Sequence, residues 1–215
     1  MNCQLCNHEA IAFTDPKTST DYHYCEGCGY YFKDPHHHPD LSCQKQHYDL
    51  HENDPQSLGY RAYFQRFLDF VLPQVGVVER ALDFGCGESW LLATLLQEQG
   101  IACESYDPLY HPDTPYLQGG YDLIVSTEVF EHLDDPLGVL KRLMASLEEG
   151  GYLAIQTAFI PDTQEAFLAW HYHRDPTHIT FFSPRSFAVM VAQTHGKVIA
   201  DNGKNMIVIQ KESAC

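Results

Sequence analysis

Four cysteines in two CxxC pairs, Cys3-Gln4-Leu5-Cys6 and Cys25-Glu26-Gly27-Cys28, carry the first chemical signal of the chain. About 18 residues separate the pairs, which is the spacing of a four-thiolate zinc site. Each CxxC makes a tight knuckle, and Gly29 supplies the turn after the second. Four thiolates leave no open coordination position, so a metal at Cys3, Cys6, Cys25 and Cys28 is structural. The second signal is Arg80 to Gln97, RALDFGCGESWLLATLLQ, where an apolar run ends in Asp83 and Gly85 and Gly87 flank Cys86 before helical periodicity begins. The glycines allow a sharp turn with no Cβ between loop and ligand, and the helix aims its free N–H groups the same way. A phosphate would not want the negative charge of Asp83, and no Lys-Ser/Thr follows, so the crevice suits a cationic ligand. The third signal is Ala169 to Pro184, where His171, His173, Asp175 and His178 fall within eight residues.

The elements that must position these residues follow from the patterning. At 215 residues and 44% hydrophobic, the chain can bury one sizeable α/β core and carry a small appendage. Ala10 to Phe13 and Tyr22 to Tyr24 are expected to pair as a hairpin between the cysteine knuckles. Residues 33–54 are rich in Pro, His and Asp and read as a linker; His36 to His38 could capture a metal, and a solvated loop beside Pro35 and Pro39 is the reading adopted. Leu58 to Leu72 has apolar and aromatic residues at helical spacing. Ile101 to Tyr106 reads as a strand ending at Asp107, and residues 111–120 as a loop holding a short strand. Tyr121 to Thr127 is a buried strand, Pro136 to Leu147 a helix and Tyr152 to Thr157 a further strand. Pro184 opens a helix, and Lys197 to Asp201 with Met206 to Gln210 form a hairpin turning at Asn202-Gly203.

Thirteen Lys+Arg against 29 Asp+Glu give a formal charge of −16, which disfavours long nucleic acids and anionic membranes as partners. No apolar run approaches a membrane span, and MNCQLCNHEA lacks the basic and hydrophobic regions of a signal peptide, so a cytoplasmic location is expected. Eight cysteines, four of them in CxxC pairs, fit a reducing compartment with a metal site.

Asp-x-Gly-x-Gly after an apolar strand resembles the first motif of class I S-adenosylmethionine (SAM) methyltransferases, with Ser89 where the usual form has a third glycine. The later elements occur in that family's order, and the CxxC pairs, YDLHENDPQSLGYR and DPTHITFFS resemble a bacterial, methyltransferase-23-like group with an N-terminal zinc ribbon. The resemblance implies a zinc ribbon over 1–34, a linker over 35–57 and a SAM-binding domain over 58–215. That domain would be a Rossmann-like α/β fold, mostly parallel with a terminal antiparallel hairpin. It also implies that Asp83, Gly85, Cys86 and Gly87 cradle the methionine part of SAM, that Asp107 binds the ribose hydroxyls, and that Glu128 and Val129 flank the reacting end. Tyr60 and Arg61 become lid residues, and Trp170 and Tyr172 substrate-binding residues.

Glu128-x-x-Glu131-His132 resembles the Mg²⁺ site of ubiquinone-pathway O-methyltransferases and small-RNA 2′-O-methyltransferases, which implies a cation near the acceptor hydroxyl. His178 is the candidate base, with Asp175 or its neighbours fixing the tautomer, His171 the second candidate and His132 a pocket residue. The expected reaction is methyl transfer to a small acceptor, on O ahead of N or C. Two other readings are a macromolecular (RNA or protein) methyltransferase docking through the ribbon and a non-catalytic SAM-binding or dimerising module. The oligomeric state is left open.

Overall fold

The computed structural model describes residues 1–48, 57–113 and 116–213. Most of the YDLHENDPQSLGYR segment and the end of the expected linker lie outside them.

Two sheets organise the chain. The first is antiparallel and begins with β1 (Ile11–Thr14), β2 (Asp21–Cys25) and β3 (Tyr30–Lys33), with Ile11 opposite Tyr24 and Thr14 opposite Asp21. The expected hairpin is therefore present, and β3 extends it. The run Tyr-Tyr-Phe-Lys is buried at every position because both of its faces are covered. The fourth strand of this sheet is contributed from far along the chain, by β8 (Thr180–Phe181), whose Phe181 lies opposite Tyr31.

Part of the expected linker is ordered. Asp34 caps a short 3-10 turn at Pro35–His37, its carboxylate accepting from the His36 amide, and α1 (Leu41–Tyr48) follows. The second sheet has six strands, β4 (Arg80–Phe84), β5 (Ala102–Tyr106), β6 (Tyr121–Thr127), β7 (Leu147–Gln156), β9 (Gly196–Asp201) and β10 (Met206–Lys211), in the order β5-β4-β6-β7-β10-β9. Strands β5, β4, β6 and β7 are parallel, and β10 and β9 close the sheet antiparallel. Between β5 and β6 the described residues hold a 3-10 turn at Tyr116–Gln118 in place of the expected short strand.

Alternation along the strands divides the core in two. Leu82, Ile124, Leu153 and Ile155 face α4 (Pro136–Ser146) and α6 (Pro184–Val191), together with Tyr30 and Phe32 of the first sheet and the cysteine knuckles. Ala81, Leu123, Val125 and Ala154 face α2 (Leu58–Val71) and α3 (Leu91–Glu98), which bury Phe67, Leu68, Leu92 and Leu96 among others. Helices thus cover both faces of a mostly parallel sheet, as such a sheet requires. A short α5 (Gln164–Ala169) precedes the histidine-rich loop. Among the described residues, no helix is long and apolar enough to cross a membrane.

Candidate active site

The carboxyl ends of β4, β5 and β6 open onto a cavity of about 700 Å³ whose walls include Gly85, Gly87, Asp107, Glu128, His132 and His178. The glycine loop shapes one end. Gly85 and Gly87 have φ of +78° and +62°. A Cβ on Gly85 would lie 2.2 Å from Val129 Cγ2, whereas one on Gly87 would meet nothing within 4 Å. Gly85 is therefore demanded by packing as well as by its dihedrals, and Gly87 leaves the backbone bare to the cavity. The amides of Gly85 and Cys86 donate to the Tyr106 carbonyl at 2.7 and 3.2 Å. Helix α3 begins only at Leu91, whose amide donates to Ser89 Oγ, so the residue in place of the third glycine assists the helix start.

Asp107 is fixed from both sides. Its Oδ2 accepts from the Gly87 amide at 3.1 Å, and its Oδ1 accepts from the amides of Leu109 and Tyr110 at 2.8 and 3.2 Å. Asp83 is placed differently from the expectation of direct contact: it is 2% exposed and lies behind the loop rather than on the cavity wall. Burial, then the nearby charge of Asp107, pushes its carboxyl up to about 8.

Glu128 adopts φ +53°, a left-handed conformation rare for a residue with a side chain. Its Oε1 accepts from Tyr63 Oη at 2.6 Å. Tyr172 Oη lies 3.1 Å from Glu128 Oε2 and 2.5 Å from Glu131 Oε1, so a hydroxyl with one proton stands between two carboxyls. Glu131 is fully buried, and its Oε2 has no hydrogen-bond partner. Burial first, then the charge of Glu131, pushes Glu128 up to about 7; burial also raises Glu131. Such a pair holds a proton near neutral pH.

The histidines are tied by main-chain carbonyls. His178 Nδ1 lies 2.9 Å from the Tyr172 carbonyl and His132 Nδ1 2.9 Å from that of Thr177, which makes Nδ1 the N–H in each ring and leaves Nε2 a lone pair. Desolvation, then the neighbouring His132, depresses His178 to about 3, and burial lowers His132 as well. The tautomer of His178 is thus set by Tyr172. Asp175 stands 3.9 Å from His178 Nε2 and instead accepts from Thr177 and pairs with His47 at 3.1 Å. Ligand atoms of Glu131, His132 and His178 lie within 4.8 Å of one another; Glu128 is outside this group.

Other expected site residues are scattered. Tyr60 lines the cavity, while Arg61 pairs with Glu98 away from it and His171 is exposed. Trp170 stacks on Tyr172 at 4.8 Å and joins the aromatic cluster of Tyr22, Tyr31, Phe167 and Phe181. Tyr63, Tyr48, Gln44, Tyr110 and Thr177 line the cavity without having been singled out. For Tyr63 a signal existed: it lies one helical turn beyond Tyr60 and therefore on the same face.

Strand β3 braces the loop that carries the cavity residues Asp175, Thr177 and His178. Lys33, 4% exposed, donates from Nζ to the Asp175 and Pro176 carbonyls at 2.7 and 3.3 Å, and its amide donates to Ile179. Asp15 and His173, both fully buried, pair at 3.1 Å, and Tyr22 Oη donates to the His173 carbonyl. The four knuckle thiols are unoxidised, with Cys3–Cys28 and Cys6–Cys25 sulfurs 3.6 and 3.4 Å apart. Those separations are far beyond a disulfide bond and close to the edge, about 3.8 Å, of a tetrahedron with metal–sulfur bonds of about 2.3 Å.

Comparison with known proteins places this geometry in context. A family described as "Methyltransferase domain" matches residues 57–199. The malonyl-[acyl-carrier protein] O-methyltransferase of Halalkalibacterium halodurans is 31% identical over 108 residues, 38% of this chain and 40% of that protein. The chain thus matches well under half of that relative's length. Among solved structures, the mitomycin 7-O-methyltransferase MmcR superposes with a TM-score of 0.54 at 12% identity, covering 73% of this chain and 56% of that one. An O-methyltransferase family protein from Burkholderia thailandensis gives 0.51 at 13% identity, over 80% and 64% of the respective chains. At these identities the structural likeness speaks for the fold.

Proposed function

The chain belongs to the methyltransferase-domain family, and on that premise we propose that it transfers the methyl group of SAM to an oxygen of a small acceptor bound in the cavity. The observation that carries this reading is the convergence, on one cavity, of the bare glycine loop, the amide-held Asp107 carboxylate and a neutral imidazole at His178. SAM, which the family implies, would supply an electrophilic methyl on a sulfonium. Asp107 offers two carboxylate oxygens to vicinal ribose hydroxyls. Gly85, Cys86 and Gly87 pass beneath the methionine part, and Glu128 and Val129 border the reacting end. Asp83 acts through charge: a cation bound above the loop favours its ionised form against the burial that raises it.

His178 Nε2 accepts the acceptor's hydroxyl hydrogen and so aims a lone pair of that oxygen at the methyl. A base near pH 3 does not remove the proton beforehand. The oxygen becomes strongly acidic only as the new O–C bond forms, and His178 can receive the proton then; positioning provides the greater share of catalysis. No lysine or arginine lines the cavity among the described residues, and none occurs in 49–56 or 114–115. A neutral hydroxyl, as in a phenol or sugar, therefore suits it better than a carboxylate. Zinc at Cys3, Cys6, Cys25 and Cys28 completes the reading, since four converging thiols are a soft, closed donor set.

A second reading concerns a cation at the acceptor. Glu131, His132 and His178 fit one: both imidazoles are oriented by carbonyls and Glu131 Oε2 is buried without a partner. Two nitrogens and one oxygen suit manganese, iron or zinc better than magnesium, and such an ion would polarise the acceptor oxygen. Incubation with methyl-labelled SAM and a small-molecule cell extract tests the main reading, with label expected in the low-mass fraction. Label only in protein or RNA would overturn it. Loss of that activity on mild chelation, with the thiolate metal retained, would favour the second reading.

A further inference from the structure

The ribbon carries a second convergence of metal-binding atoms that methyl transfer does not use. Asp21 Oδ2 on β2 lies 3.4 Å from His36 Nε2 and 3.4 Å from His37 Nε2, both in the 3-10 turn after β3. The two rings stand 3.9 Å apart. These distances are long for charge-assisted N–H···O bonds, which run about 2.7–2.9 Å. They match the edge, about 3.3–3.4 Å, of a tetrahedron whose metal–nitrogen and metal–oxygen bonds are about 2.0–2.1 Å.

The surroundings fix each donor. Asp34 Oδ1 lies 2.6 Å from His36 Nδ1 and also accepts from the His36 amide, which keeps the proton on Nδ1 and leaves Nε2 as the donor. Thr14 Oγ1 donates to Asp21 Oδ1 at 2.6 Å, leaving Oδ2 for the cluster. Asp34 is held in turn by His23 at 2.8 Å. His38, the third histidine of the run, turns away toward Asp134 and the Lys33 carbonyl. None of Asp21, His36 and His37 borders the large cavity.

We propose that Asp21, His36 and His37 form a second metal site on the ribbon, taking a divalent ion of the zinc class and leaving its fourth position open to solvent. Carboxylate-to-imidazole-to-metal order, from Asp34 through His36, is the arrangement by which proteins orient such ligands. Unlike the four-thiolate site, this one is partly exposed and has three protein ligands, so an outside ligand can reach the ion.

The test uses the full chain with its thiolate metal in place, dialysed against micromolar free Zn²⁺, then analysed for metal content. Wild type should hold one equivalent more than His36→Ala/His37→Ala, and Asp34→Asn should weaken that equivalent about tenfold or more. With Co²⁺, the difference spectrum should lack thiolate charge-transfer absorption. Should the double variant fold poorly, imidazole nitrogen resonances of His36 and His37 in wild type should shift on adding Zn²⁺. Equal metal content in wild type and folded double variant, or unmoved His36 and His37 resonances, overturns the site.

Discussion

At the scale of single residues, the protein sets the states of two ionisable groups. His178 is kept neutral by burial and by His132, so its contribution is a fixed lone pair. Replacing it with Ala should lower kcat about 10²-fold, the size of a positioned acid–base group, with SAM affinity nearly unchanged; a folded variant with full activity contradicts the assignment. Glu128 is raised to about 7, above its unfolded value, so its favourable contribution to folding is full below about 4.5 and is lost as pH rises through 7. Glu128→Gln removes that loss while keeping an acceptor for Tyr63. Its melting temperature relative to wild type should therefore be higher at pH 8 than at pH 5, and an unchanged difference would contradict the buried carboxyl pair. That Asp107, Glu128 and His178 would border one cavity was legible because their types and places in the chain resemble a family pattern. The partners that set their states were not: Tyr172 and Thr177 act on the histidines through carbonyls, which any residue type supplies.

At the scale of elements, the strand-loop-helix around Gly85 and the ribbon on β8 both depend on close approach. Gly85→Ala adds a Cβ within 2.2 Å of Val129 at φ +78°, costing roughly 2 kcal/mol or more. Thermal unfolding should show this, and Val129→Ala in the same chain should restore part of it. Parallel strands and flanking helices were readable from periodicity, since buried strands and amphipathic helices leave different patterns. Strand β3 pairs locally with β2, but its other edge is covered by β8, about 150 residues later, and nothing local announces a contact of that range. That pairing, with Lys33 on the Asp175 and Pro176 carbonyls, ties the N-terminal sheet to the loop at 175–182. Removing the metal proposed for the four thiolates should therefore raise hydrogen exchange in peptides spanning 175–182 as well as in 3–33; a rise confined to 3–33 would contradict this coupling.

At the scale of the whole molecule, a chain of formal charge −16 encloses a cavity with no lysine or arginine in its lining among the described residues, with Asp107 and Glu128 on its wall and Asp83 behind the glycine loop. That balance favours a cationic cofactor and a neutral acceptor over phosphates or carboxylates. The family match over 57–199 spans the parallel strands β4 to β7, while β1 to β3 form a second sheet against which the loop at 175–182 packs. The most direct test is calorimetric titration of the folded, metal-loaded chain with SAM, alongside Asp107→Ala. Saturable binding by wild type, weakened at least tenfold in the variant, is the result this account requires. Absence of binding to the wild-type protein, even with small-molecule extract added, or equal affinity in the variant, would contradict it.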